Sequence, residues 1–119
     1  MARKKLTGAN KAKPAGHSLT SHTSTPFIVS FKYRLEKDYG FDSLQIKHLR
    51  QFQDFLNRVS QMTFLEVDRI YRRKPDKSDI FQGKDVIHYN AGGSFRIHGV
   101  LEEGRFKVIR LDPEHRYHS

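Results

Sequence analysis

The chain has 119 residues, 36% of them hydrophobic, and a formal net charge of +9; that length and apolar fraction support one modest core, not two. It contains no cysteine, which excludes disulfide staples, zinc–thiolate sites and Cys nucleophiles. No window approaches the roughly eighteen consecutive apolar residues of a membrane span, and no apolar stretch follows the N-terminal Arg and Lys residues as a secretory signal requires, so a cytoplasmic protein is expected.

The charge is unevenly placed. Residues 1–35 hold seven Lys or Arg and no acid, whereas residues 36–119 hold fifteen Lys or Arg against thirteen acids. The excess therefore sits in or beside the N-terminus, where it either solvates a tail or helps to hold RNA. From Met1 to Pro26 the chain is Lys, Ala, Gly, Ser, Thr, His and Pro with almost nothing to bury, so it cannot offset its ordering entropy and reads as a disordered basic tail. Residues 27–119 are left as the folded domain.

The first element is a strand over Phe27–Tyr33, where Phe27, Val29, Phe31 and Tyr33 alternate with Ile28, Ser30 and Lys32. After a turn at Tyr39 and Gly40, Asp42 or Ser43 caps a helix whose apolar positions Leu44, Leu49, Phe52, Leu56 and Val59 keep helical spacing to about Ser60. Thr63 with Glu66 three residues later is a capping box, and Met62 with Val67 forms its hydrophobic staple. The second helix turns Phe64, Val67, Ile70 and Tyr71 inward. Its last turn, Arg72, Arg73 and Lys74, suits a helix C-terminus and precedes Pro75. Three strands follow, over residues 85–89, 94–101 and 105–111, the last two joined through Glu102, Glu103 and Gly104, where Gly104 takes positive φ.

This order predicts an α+β domain, an antiparallel sheet with two N-terminal helices packed on one face. Its other face is free to present polar groups: in the run Phe95, Arg96, Ile97, His98 the apolar and polar pairs point to opposite sides.

The succession of opening strand, two helices, an aromatic-Arg-apolar strand (Phe95, Arg96, Ile97) and a last strand ending in Arg110 before His115 and Tyr117 resembles the RelE/ParE superfamily of bacterial type II toxins. The likeness covers residues 27–118 and is greatest to the RelE-like mRNA interferases, including YoeB-like and YafQ-like proteins. The basic tail departs from that pattern, as does the Asp112–Pro113 pair between the last-strand Arg and His115. The resemblance implies a β-α-α-β-β-β fold and a metal-independent endoribonuclease that cuts mRNA on the ribosome and is silenced by a cognate antitoxin. It maps RNA-site roles onto Arg96, Arg110, His115 and Tyr117.

Attack by a ribose 2′-hydroxyl needs a base, cations that hold the phosphate, and an acid for the leaving oxygen, without a metal or other cofactor. Arg96 and Arg110 suit the phosphate, His98, His115 and His118 suit proton transfer, and Tyr117 suits stacking or proton donation. Arg72, Arg73, Lys74 and Lys84 complete the candidate RNA-binding set. Two other functions stay open on the same scaffold: a non-catalytic RNA- or ribosome-binding module, and a ParE-like gyrase inhibitor. A metal held by the late histidines is the weaker reading, because neither a cysteine nor a helical HExxH accompanies them.

Overall fold

The computed structural model describes residues 25–117; the expected tail up to Ser24, and the candidate His118, lie outside the described residues. The chain enters through a two-residue strand β1 (Val29–Ser30) and a single 3-10 turn (Phe41–Ser43), then forms helix α1 (Ile46–Val59) and helix α2 (Phe64–Tyr71). Strand β2 (Arg72–Arg73), a small hairpin of β3 (Ile80–Phe81) and β4 (Lys84–Asp85), and the long strands β5 (Ile87–Gly92), β6 (Phe95–Glu102) and β7 (Arg105–Asp112) complete it.

Both helices begin where local chemistry satisfies their first amides. At α2 the Thr63 Oγ1 accepts from the Glu66 N–H, and the Thr63 N–H donates back to Glu66 Oε1 at 2.9 Å, the reciprocal box expected from the sequence. At α1 the cap is Gln45, not Asp42 or Ser43. Its N–H donates to His48 Nδ1 at 3.1 Å, so an imidazole stands where Glu or Gln is usual. The expected basic last turn of α2 is instead split: the helix stops at Tyr71, and Arg72 and Arg73 pair with Tyr89 and His88 as the sheet's edge strand.

The five-stranded sheet has the order β1-β7-β6-β5-β2. It is antiparallel except at β1, which runs parallel to β7 through Val29↔Phe106 and Ser30↔Lys107. The strand expected over Phe27–Tyr33 is thus cut to two residues. The β6–β7 hairpin turns through Glu103 and Gly104, both at positive φ (54° and 73°), the two-residue geometry that matches strand twist.

One sheet face carries the main core, in which Phe52, Phe55, Val59, Phe64 and Val67 of the helices meet Tyr89, Ala91, Phe95, Ile97, Phe106, Val108 and Leu111. The other face is not left bare. Val86, Val100 and Ile109 form a second small cluster there, with Tyr33 and Phe81 packed against it.

A β-bulge shapes that second face. His98 pairs with Arg110 while Gly99 pairs with Val108, so Ile109 is the extra residue on β7. Unbroken alternation from Phe106 and Val108 would turn Arg110 toward the helices; the bulge turns it to the opposite face, beside His98. Gly99 makes this close approach possible, because a Cβ there would lie 2.5 Å from the Lys107 carbonyl oxygen and 2.8 Å from the Phe106 ring. The Gly99→Ala variant is expected to lose about 1–3 kcal/mol of stability, measurable as a lower urea midpoint at unchanged slope.

Candidate functional site

Pairing across four strands sets Arg73, His88, His98 and Arg110 in one row on the face away from the helices, and Asn90, Arg96 and Asp112 in the next. Within the first row the last three side chains are buried and interlocked through Asp79, which precedes β3. Arg110 donates from Nη2 to Asp79 Oδ1 at 2.7 Å and from Nη1 to Oδ2 at 2.9 Å, a bidentate pair. Its Nε donates to Glu36 Oε1 at 2.9 Å, and Nη1 also lies 2.6 Å from His98 Nδ1.

These contacts assign the imidazole protons. A guanidinium only donates, so His98 Nδ1 accepts and a neutral ring carries its proton on Nε2. His88 Nε2 lies 2.6 Å from Asp79 Oδ2, and a carboxylate only accepts, so His88 Nε2 is the donor there. The two imidazoles stack with centroids 3.7 Å apart. Tyr117 closes the cluster from outside, its ring 3.6 Å from the Arg110 guanidinium carbon and edge-on to His98. Burial pushes the Asp79 carboxyl up, but hydrogen bonds from Arg110 and His88, with their charges, outweigh it and hold the pKa at about 2. Burial likewise works against the Arg110 charge, and Asp79 more than restores it.

Arg110 therefore differs from the phosphate clamp expected of it. The Nε and both terminal nitrogens of its guanidinium are engaged by Asp79, Glu36 and His98, so it organises an internal polar cluster. The same geometry bears on a metal. Asp79, His88 and His98 offer ligand atoms within 4.8 Å of one another, yet the Arg110 guanidinium already binds both Asp79 oxygens and His98 Nδ1. A divalent cation would have to displace that charge.

Arg96 is placed differently. Its Nη1 donates to the Gly93 carbonyl at 2.9 Å, while its Nε is buried with no hydrogen-bond partner among the described residues. Burial and then the neighbouring Arg73 charge pull its pKa down, with Asp112 and Asp76 opposing. Those four groups are thus electrostatic neighbours. His115 joins them, its Nε2 3.9 Å from Asp76 Oδ2, in a segment turned by positive φ at His115 itself (54°). Asp112 anchors that segment by accepting from the Arg116 and Tyr117 N–H groups at 3.0 and 2.9 Å. Two further ties hold it: Ser94 Oγ donates to the Pro113 carbonyl at 2.8 Å, and His48 Nε2 donates to Glu114 at 3.2 Å.

Beside this group opens a cleft of about 360 Å³ at the sheet edge, walled by Arg72, Lys74, Asp76, Lys77, Asp85 and Val86, with Asp79 among its lining residues. Of the other candidate cations, Arg72 is 3.5 Å from Asp68 and Lys84 is 3.1 Å from Glu102. Lys84 belongs with Lys107 and Tyr33 to the contacts around Glu102 and is not among the cleft's lining residues.

The structure thus gathers the sequence candidates into two groups on one face: His98, Arg110 and Tyr117 inside, and Arg96 with His115, Arg73 and Asp76 at the rim. Asp79 and Asp76 were not among the candidates, and His88 entered only with His98, His115, His118 and Asp112 in the metal reading. Among the described residues, no helix is long and apolar enough to cross a membrane. Comparison of the chain with protein-family models, with curated proteins and with solved structures finds no match in any of the three.

Proposed function

We propose that the protein is a RelE-like, metal-independent endoribonuclease that cleaves mRNA on the ribosome as the toxin of a type II toxin–antitoxin pair. The observation that carries this reading is Arg96: a partly buried guanidinium next to Arg73, with Asp76 as a neighbour it shares with His115. That set supplies what the reaction asks of a protein. His115, beside Asp76, takes the proton of the ribose 2′-hydroxyl as its oxygen attacks phosphorus. Arg96 and Arg73 hold the phosphate while negative charge builds on it. The P–O5′ bond then breaks, its oxygen taking a proton from solvent at this exposed rim, and the products are a 2′,3′-cyclic phosphate and a 5′-hydroxyl. The inner cluster supports the site by fixing the strands and the Asp112–Tyr117 segment. The exposed Phe31–Phe41 ring pair, centroids 5.7 Å apart, offers the antitoxin an apolar surface.

Expression of the full chain is expected to arrest growth and fragment mRNA into pieces ending in 2′,3′-cyclic phosphate. Arg96→Ala is expected to lower cleavage by about a hundredfold, the usual cost of removing one charge-stabilising donor, with folding checked by circular dichroism. Normal growth with intact RNA sinks the nuclease reading. The closed, charge-compensated His98–Arg110 cluster favours a second reading, a non-catalytic RNA- or ribosome-binding module, which predicts salt-sensitive RNA binding without cleavage.

A further inference from the structure

We infer that the cleft beside the rim is a nucleotide subsite selective for guanine, an inference that rests on the proposal that this face binds RNA. Its volume of about 360 Å³ lies at the low end of small-molecule sites, which span roughly 300–1,000 Å³. One nucleoside fits; a duplex does not. The walls divide by chemistry. Lys74 and Lys77 suit the flanking phosphates, and Asp76, Asp79 and Asp85 supply carboxylates.

Two of those carboxylates have other roles. Asp79 is bound by Arg110 and His88, and Asp76 faces His115. Asp85 remains, exposed on β4 and held in register opposite Ile80. A carboxylate accepts and never donates, so it selects a base edge with two adjacent donors. Among the four RNA bases only guanine presents such an edge, through its N1–H and 2-amino group. Adenine and cytosine each set one donor beside an acceptor, and uracil flanks its single N–H with two carbonyls. Single-stranded RNA is where such an edge is free to be read.

The test uses the full chain and short 2′-O-methyl oligonucleotides, whose blocked ribose prevents cleavage, so that binding is read apart from chemistry. Fluorescence anisotropy is expected to show a guanine-containing oligonucleotide bound about tenfold more tightly than the same strand with inosine, which lacks the 2-amino group, or with uracil. In Asp85→Asn, checked for folding by circular dichroism, the preference for guanine over inosine should vanish; a preference that persists overturns the assignment to Asp85. Equal affinity for all strands in the parent protein overturns the subsite and leaves RNA binding standing. Absence of binding to any strand overturns both the subsite and the RNA reading. Guanine preference in a protein that leaves unmodified RNA intact upholds the subsite and removes only the nuclease.

Discussion

Asp79→Ala is expected to destabilise the fold by about 3–5 kcal/mol, because it leaves the Arg110 guanidinium, 2% exposed, with its main counter-charge gone. Glu36 accepts only from Nε, so both terminal nitrogens lose their carboxylate. Urea unfolding followed by circular dichroism measures the loss; a change under about 1 kcal/mol would show that the cluster is wet and its charges solvated. Removing both charges in Asp79→Ala with Arg110→Met should recover much of the stability, since a charge pair replaced by apolar groups is often nearly neutral. The pH dependence follows from the depressed pKa of Asp79. Its folded-state value of about 2 lies below the ordinary 3.8, so its contribution is fully present above pH 4 and is lost as pH falls from about 4 towards 2. The Asp79→Ala variant should lack that part of the acid transition.

Phe27→Ala is expected to cost about 3–5 kcal/mol, whereas Phe31→Ala, four residues later, should cost under about 1 kcal/mol. Phe27 is 7% exposed and its ring meets Phe64, Tyr89 and Phe106 at centroid distances of 4.9, 5.6 and 5.8 Å. It therefore joins α2, β5 and β7 through one side chain. Alanine would leave a cavity and remove three aromatic contacts, each worth about 0.5–1.5 kcal/mol beyond area burial. Phe31 is 46% exposed, and its ring meets Phe41 and Phe52 at centroid distances of 5.7 and 6.5 Å. Calorimetric unfolding of the two variants separates them; similar losses would mean that the single-strand pattern over Phe27–Tyr33 persists in solution.

That contrast shows how far local patterns reach. The capping box at Thr63 and Glu66, the Gly104 turn and the long hairpin β6–β7 were all legible, because each is decided by residues within a few positions of one another. The Phe27–Tyr33 alternation was legible only in part. Parallel pairing with Phe106 and Lys107 ends after Ser30, and Tyr33 then joins the second cluster on the opposite face. The missed strand β2 has the same cause. Arg72 and Arg73 suit a helix end by charge, but the neighbouring Tyr89–His88 edge accepts their backbone.

Sequence by itself determined the α+β order of elements, the start of α2 and the placing of Arg96 and His98 opposite Phe95 and Ile97, because period and capping are local properties of the chain. Only the tertiary structure decided that Arg110 is spent inside and Arg96 is not. A one-residue bulge at Ile109 reverses which face Arg110 takes, and its partners, Asp79 and Glu36, are 31 and 74 residues away along the chain. No spacing rule reaches across such separations; packing of the sheet against the residues before β3 does.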